Sequence, residues 1–411
     1  MSSTVIPESV LIAGGGLAGF SVAQELRKRG YEGEITLVDP EGLPYDRPPL
    51  SKEYLDGSVA ADNLPFVAES WFEENAVEVV VDHVTGITPD TGVVTGAGGE
   101  LWTADAIVLA TGGRARTLPV PGGDLPGVIQ LRTKEDADHL RTFLAPGKRL
   151  AIIGGGLIGA EVASTAVKAG ATVTLIEPAG VPAAIVMGQT IALYLHGLHE
   201  AHGVNVIAKP TSAIRREGDE WIVVIDGGPQ EGGSEVKADA VLVAIGIVPN
   251  VSLALDAGLD VDNGILVDQS QRTSHERVYA VGDIARHRAP DGSLLHRHEH
   301  WQSAMQSGQT AAAAMLGQEL PVHPAPWMWS DRYDHHVEAV GSMARGHLVV
   351  RERDGKPWVS FLLDDDGRLL GAAAIDGGIA IRAAQRMIDR GTVVDPAQLA
   401  DPAVNLKKLA R

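Results

Sequence analysis

The clearest pattern along the chain is a short apolar run, a glycine-rich turn, an alanine- and leucine-bearing stretch and a second apolar run, written twice. The first copy is LIAGGGLAGFSVAQELRKRGYEGEITLVDP from Leu11, and the second is LAIIGGGLIGAEVASTAVKAGATVTLIEP from Leu150. Apolar runs of this length predict buried strands, and the stretches that run to about Gly30 and Gly170 predict helices. The pattern therefore predicts two βαβ units.

A further repeated segment follows each unit. DAIVLATGGRARTLP begins at Asp105, and DAVLVAIGIVPNVSL begins at Asp239. Each predicts a further buried strand, which ends at Gly112 or Gly246. The repeat therefore covers whole domains and is longer than a single loop.

Both turns carry the G-x-G-x-x-G pattern of dinucleotide sites. Its glycines are Gly14, Gly16 and Gly19 in the first copy and Gly154, Gly156 and Gly159 in the second. The first glycine permits a tight turn, the second lets a pyrophosphate approach the backbone, and the third lets helix and strand pack closely. An acid for the adenosine ribose follows in each copy, with Asp39 20 residues past Gly19 and Glu177 18 past Gly159. One such loop can be an ordinary glycine turn, but two in βαβ context favour two dinucleotide sites.

The second site is predicted to prefer NADH. A carboxylate at Glu177 accepts ribose hydroxyls and repels a 2′-phosphate. Between Pro178 and Ala208 the sequence has no Lys or Arg to bind such a phosphate. The pyrophosphate is therefore expected to rely on the helix N-terminus.

Composition narrows the chemistry. The 411 residues carry a net charge of -19, which argues against nucleic acid or an anionic membrane surface as a partner. With no basic, apolar start and no long apolar stretch, a cytoplasmic location is expected.

The chain has no cysteine, so disulfide, thiolate and cysteine-ligated cluster chemistry is excluded and redox chemistry needs an organic cofactor. The histidines in HRHEH from His296 and in DHH from Asp334 are not expected to bind metal, because alternate residues diverge on a helix and no cysteine is available as a ligand.

The ordered motifs GGGLAG, YDRPPLSKEYL, VLATGGRARTLP, LRTKEDAD, GGGLIGAEVA, IGIVPN, YAVGD, EHWQSA and PWMWSDRYD resemble the FAD-dependent ferredoxin reductases of the putidaredoxin reductase type. That family serves bacterial cytochrome monooxygenases and ring-hydroxylating dioxygenases. The resemblance implies an α/β fold like that of glutathione reductase, with two Rossmann-like domains and a C-terminal α+β domain. The expected FAD domain spans 1–115 and 247–322, the NADH domain 116–246 and the C-terminal domain 323–411.

The resemblance also assigns residues. Lys52 and Glu161 match the family's lysine–glutamate pair beside the flavin, so they are the predicted catalytic residues. The predicted FAD-binding residues are Gly14, Gly16, Ala18, Gly19, Asp39, Arg47, Lys52, Val84, Arg132, Asp283, Trp301 and Trp329. The predicted NADH-binding residues are Gly154, Gly156, Ile158, Gly159, Glu177 and Gly246.

The family's reaction takes a hydride from NADH onto FAD and passes electrons singly to a [2Fe–2S] ferredoxin. Such carriers are acidic, so docking is expected near a basic stretch that holds Arg286, Arg288 and Arg297. One alternative is an NADH oxidase or a reductase of small acceptors on the same scaffold. The other is a redox-sensing interaction protein like apoptosis-inducing factor.

Overall fold

A computed structural model describes residues 5–410, which fall into two structural units. The first comprises the chain up to Asp46, Asp62–Arg114 and Ile247–His323, and the second comprises Arg47–Ala61, Ala115–Gly246 and the chain from Pro324. Between residues 5 and 410, no helix combines the length and apolarity needed to cross a membrane. The cytoplasmic location stays a prediction.

The N-terminal segment contains the first predicted βαβ unit. Its elements are β1 Ser9–Ala13, α1 Leu17–Lys28, β2 Glu34–Val38, α2 Ser70–Glu74, β3 Val77–Val80, β4 Val84–Thr88, β5 Val93–Gly96, β6 Leu101–Thr103, β7 Ala106–Leu109 and β8 Gly113–Ala115. Strand β1 lies between β2 and β7 and is parallel to both. Its apolar residues are almost completely buried, as expected for a central parallel strand.

The next segment repeats this arrangement. Its elements are α3 Lys134–Arg141, β9 Arg149–Ile153, α4 Leu157–Lys168, β10 Thr172–Ile176, α5 Ala184–Met187, α6 Gln189–Ala201, β11 Asn205–Ile207, β12 Thr211–Glu217, β13 Glu220–Ile225, β14 Ser234–Ala238 and β15 Ala240–Val243. The parallel sheet has the order β11-β10-β9-β15, and β12-β13-β14 form an antiparallel sheet. Strand β9 therefore occupies the position that β1 has in the first sheet.

The chain then completes the first unit. Its elements are β16 Ile247–Pro249, α7 Ser252–Asp256, β17 Ile265–Val267, β18 Val278–Ala280, β19 Ala285–His287 and α8 Trp301–Met315. Strand β18 pairs with β7, which gives the parallel order β18-β7-β1-β2-β3. Helix α8 packs against α1 at Gly308, where a Cβ would lie 2.6 Å from the Ala18 carbonyl oxygen.

The C-terminal segment is an α+β layer structure. Its elements are β20 Trp327–Arg332, β21 His335–Gly341, β22 His347–Arg353, β23 Lys356–Leu363, β24 Leu369–Ile375, α9 Gly378–Asp389, α10 Pro396–Ala400 and α11 Leu406–Leu409. The antiparallel sheet has the order β20-β21-β24-β23-β22, and α9 packs on β21 and β24. Ile191 and Leu195 of α6 share a core with Met328 and Val337 of this sheet.

The predicted fold class is confirmed: two parallel sheets, each built on a βαβ unit, are accompanied by a C-terminal α+β region. The three domain boundaries stay a prediction. The structural units assign Arg47–Ala61 to the second unit, although the sequence placed this segment within the FAD domain.

Candidate functional site

The first glycine turn follows β1, the strand at which the sheet order reverses. Gly14 has φ +113°, and a Cβ there would lie 2.4 Å from the Ala110 carbonyl oxygen. A Cβ on Gly19 would lie 2.0 Å from the Gly14 carbonyl oxygen. Both glycines are therefore required by the turn itself, at the switch point where open α/β sheets bind their ligands.

The second turn, after β9, has the same geometry. Gly154 has φ +104°, and its Cβ would lie 2.4 Å from the Ala244 carbonyl oxygen. A Cβ on Gly159 would lie 1.9 Å from the Gly154 carbonyl oxygen. The two turns are therefore structural as well as sequence repeats.

Gly16 and Gly156 differ from these glycines. A Cβ built on either residue would meet no atom within 4 Å. Each is the N-cap of its helix and has extended backbone, and the first N–H groups of α1 and α4 have no acceptor within their own helix. The two turns thus fit a dinucleotide, because a pyrophosphate needs both close access to the backbone and a helix N-terminus.

The two predicted ribose acids also hold the turns in place. Asp39 Oδ2 accepts a hydrogen bond from the Gly15 N–H at 2.6 Å, and Glu177 Oε2 accepts one from the Gly155 N–H at 2.7 Å. The other oxygen of each carboxylate accepts from the backbone two residues further along, also at 2.7 Å. A carboxylate has lone pairs left for ribose hydroxyls. Gly15 and Gly155 were not predicted as donors, although both lie inside the two glycine motifs.

Two other predicted NADH residues lie beside the second turn. Ile158, in the first turn of α4, is 41% exposed. Gly246 follows β15 with φ +95°, a backbone conformation that favours glycine.

The first unit brings Ala18 and Asp283 to the same turn region. Asp283 lies in a 3₁₀ turn, Gly282–Ile284, that follows β18. A Cβ on Gly282 would lie 2.8 Å from the Ala18 Cβ, so this turn closely approaches the start of α1. Of the other predicted FAD residues here, Val84 is buried at the start of β4.

Trp301 is the first residue of α8. Its Nε1–H donates to Asp46 Oδ1 at 2.8 Å. The indole is therefore oriented by Asp46, a residue that was not among the predicted site residues.

The remaining predicted FAD residues belong to the second unit and form two groups. Arg47 Nη1 donates to the Arg132 carbonyl oxygen at 2.5 Å. Trp329 stacks on Trp327 with ring centroids 5.0 Å apart, and Lys52 Nζ lies 5.4 Å from the Trp329 ring centroid. Arg47 thus lies with Arg132, and Lys52 lies with Trp329.

Lys52 has two acidic partners. Its Nζ lies 3.9 Å from Glu161 Oε1, so the expected pair is in ionic contact, but it donates a hydrogen bond to Asp331 Oδ2 at 2.8 Å. Glu161 accepts instead from the hydroxyls of Ser51 at 2.5 Å and Ser330 at 2.7 Å. Glu161 is therefore a buried counter-ion of Lys52, whereas Asp331 is its hydrogen-bond acceptor.

Opposite charges allow the side chains around Lys52 to be buried together. Lys52 is 9% exposed, Glu161 5% and Arg332 5%. Burial by itself would lower the pKa of Lys52, but the Glu161 charge and the Asp331 hydrogen bond raise it overall. Burial raises the pKa of Glu161, and the charges of Lys52 and Arg332 oppose this shift. Two cations and two carboxylates, counting Asp331, thus offset one another.

The predicted docking arginines differ in exposure. The side chain of Arg288 is 47% exposed and lies 3.1 Å from Asp260, and that of Arg286 is 20% exposed and lies 2.8 Å from Asp262. Arg297 is 6% exposed and bridges to Glu299 at 2.6 Å. The guanidinium of Arg297 is therefore buried in the interior of the first unit.

The histidine stretch before Trp301 was predicted to be helical, but it is not, because α8 begins only at Trp301. The rings of His298 and His300 have centroids 5.6 Å apart. Burial, helped by the neighbouring His298, lowers the pKa of His300 to about 4. Among residues 5–410 no group of three His, Cys, Asp or Glu side chains is arranged to hold a metal ion.

Comparison with known proteins supports the same interpretation. The family described as pyridine nucleotide-disulphide oxidoreductase matches residues 8–308, and the family described as reductase C-terminal matches 327–410. The ferredoxin–NAD(+) reductase subunit of the benzene 1,2-dioxygenase system of Pseudomonas putida is 37% identical over 98% of this chain and 97% of its own. The ferredoxin–NAD(+) reductase component of the anthranilate 1,2-dioxygenase system of Burkholderia cepacia is 39% identical, over 97% and 98%.

A solved structure agrees over the same length. Putidaredoxin reductase, in its covalent complex with putidaredoxin, superposes with a TM-score of 0.91 and 33% identity over 98% of this chain and 97% of its own. The predicted resemblance is confirmed. The chain therefore belongs to the pyridine nucleotide-disulphide oxidoreductase family, among its ferredoxin–NAD(+) reductases.

Proposed function

We propose that this protein is an NADH-dependent flavoprotein that transfers electrons from NADH through FAD to a [2Fe–2S] ferredoxin serving an oxygenase. The observation that carries the proposal is the duplicated turn: two glycine loops of one geometry, each tied to a terminal acid, in a chain without cysteine. Two dinucleotide sites without a thiol support transfer between nicotinamide and flavin and exclude a disulfide of this chain as the next acceptor.

In this proposal FAD supplies the step from two-electron to one-electron chemistry. The first turn and Asp39 bind FAD, and the second turn and Glu177 bind NADH. Lys52 is the cation beside the flavin, where a fixed positive charge stabilises the negative charge of the reduced ring. Glu161 keeps that cation charged inside the protein.

The ferredoxin is proposed to dock near Arg286 and Arg288. Both side chains reach solvent, whereas the buried Arg297 is better suited to hold its own loop, since it donates to the Asn263 carbonyl at 2.9 Å. The protein's strong net negative charge requires a local basic surface if its carrier is also acidic.

The test uses purified full-length protein. We expect a yellow flavin spectrum, reduction of the flavin by NADH in preference to NADPH, and cytochrome c reduction that depends on an added [2Fe–2S] ferredoxin. If NADH turnover with oxygen or a dye is the same with and without added ferredoxin, the protein is instead an oxidase or a small-acceptor reductase. A protein that binds no flavin would contradict the proposal outright.

A further inference from the structure

The hydrogen bonds around Lys52 continue to the protein surface. Lys52 Nζ donates to Asp331 Oδ2 at 2.8 Å, and the other oxygen of that carboxylate, Oδ1, lies 2.5 Å from His336 Nδ1. The side chain of His336 is 48% exposed. A buried ammonium is thus linked through one carboxylate to a histidine that exchanges protons with water.

The donors of this chain of hydrogen bonds can be assigned from chemistry. A carboxylate only accepts hydrogen bonds, so both Lys52 Nζ and His336 Nδ1 carry the protons. A second proton on His336 is therefore gained at Nε2, and its hydrogen bond to the Asp331 carboxylate then becomes an ion pair. The two donors already lower the pKa of Asp331 against the opposing effect of burial, so this residue is a carboxylate.

Within residues 5–410, no other hydrogen-bond acceptor replaces Asp331 for Lys52. Glu161 is 3.9 Å from Nζ, and its two oxygens accept from the hydroxyls of Ser51 and Ser330. Asp331 consequently fixes where the ammonium points, and Glu161 contributes charge without a direct hydrogen bond.

We propose that Asp331 is the positioning residue for Lys52, and that protonation of His336 weakens the hold of Asp331 on the ammonium so that solvent pH adjusts the positive charge presented to the flavin. The inference rests on the proposed function, in which Lys52 lies beside that ring. A protonated His336 competes for the shared carboxylate and also adds a positive charge. Both effects stabilise a negatively charged reduced flavin, so they have the same sign.

The surroundings of His336 supply a matched control. Strand β20 presents Asp331 to this histidine, and the residue after β24, Asp376, accepts from the His336 backbone N–H at 2.8 Å. On the same strand His335 pairs with Asp376 at 2.8 Å. His335 thus forms a second histidine–aspartate pair, and within the described part of the chain neither member is hydrogen-bonded to Lys52.

The experiment measures the midpoint potential of bound FAD in the full-length protein by spectroelectrochemical titration. It covers about pH 5.5 to about pH 8.5, the range in which histidines change charge. In the wild type the potential should rise more steeply toward low pH than in His336→Gln, and the two curves should meet at high pH. His335→Gln should follow the wild type. Asp331→Asn should lose the extra pH dependence and have a higher potential than the wild type at high pH, because an anion beside Lys52 is removed.

Coincident curves for the wild type and His336→Gln would overturn the inference, and so would an equal loss of slope in His335→Gln. If FAD is bound and ferredoxin is reduced while the curves coincide, the inference alone fails. If the wild type binds no FAD, the proposed function fails and takes the inference with it.

Discussion

At the scale of single residues, the glycines of one motif serve different purposes. Gly156 has φ -63° and open space where a methyl group would lie, whereas a methyl on Gly159 would lie 1.9 Å from the Gly154 carbonyl oxygen. Gly156→Ala is therefore expected to change the free energy of unfolding by less than about 0.5 kcal/mol and to weaken NADH binding more than about tenfold, because the methyl fills the pyrophosphate space.

Gly159→Ala, in contrast to Gly156→Ala, is expected to lower the stability of the protein. Helix α4 must move away from the Gly154 carbonyl oxygen of the turn, so the free energy of unfolding should fall by about 2 kcal/mol or more. Denaturant titration measures stability, and nucleotide fluorescence titration measures NADH affinity. Tight NADH binding by Gly156→Ala would contradict the assignment of this turn.

Glu177 combines two roles, so its substitution is informative. In Glu177→Gln the amide NH₂ replaces an oxygen that accepts either the Gly155 or the Ala179 N–H, and the repulsion of a 2′-phosphate disappears. We expect NADH affinity to fall about tenfold, or about 1.4 kcal/mol, and the preference for NADH over NADPH to narrow.

Asp39→Asn is the matched control, because Asp39 holds the first turn in the same way. It should lower FAD retention without altering the ratio of NADH to NADPH affinities, measured by fluorescence titration. If the ratio of NADH to NADPH affinities is unchanged in Glu177→Gln, Glu177 does not contact the adenosine ribose.

Among the helices and strands, those whose positions depend on the local sequence pattern could be predicted from the sequence. Both βαβ units lie where apolar runs and glycine turns placed them, and α1 and α4 end at Lys28 and Lys168, two residues before the glycines that mark their ends. Those glycines have positive φ, which explains why the pattern locates the ends so well.

Contacts between distant segments were harder to predict. Lys52 and Asp331 are 279 positions apart, and nothing in either local sequence states that they meet. One signal was available. Side chains of a strand alternate between faces, so Asp331 shares a face of β20 with Trp329, which the resemblance had already placed at the flavin. The alternation along this strand would therefore have predicted Asp331 beside Trp329.

The C-terminal elements depend on a buried arginine. Arg351 of β22 is 2% exposed and donates to the carbonyl oxygens of Leu399 at 2.7 Å, Gln398 at 3.0 Å and Val404 at 3.1 Å. Arg351→Met should leave these carbonyls without donors and destabilise the protein by about 3 kcal/mol. Thermal unfolding and thermolysin cleavage near α10 would measure the effect.

Arg353→Met is the control for that prediction. Arg353 is exposed and lies 3.6 Å from the Trp358 ring centroid, a contact worth about 0.5–1 kcal/mol at such a site. Equal losses in the two variants would show that the carbonyl contacts of Arg351 do not hold the C-terminal helices.

At the scale of the whole molecule, charge governs encounter with a carrier. A protein with a net charge of -19 repels an acidic ferredoxin at long range, so association depends on a local basic surface. In Arg288→Glu we expect kcat/KM for ferredoxin to fall about tenfold at low ionic strength, with NADH-driven dye reduction unchanged. The difference should shrink above about 0.1 M salt, where the screening length is about 10 Å.

The matched control is Arg368→Glu, an equal charge reversal at an exposed position in the second unit. Both variants change the net charge by the same amount, so the long-range repulsion of the carrier increases equally in the two. Only the loss of a docking contact can separate them. If Arg368→Glu slows ferredoxin reduction as much as Arg288→Glu at every salt concentration, net charge alone sets the rate and the ferredoxin docks elsewhere.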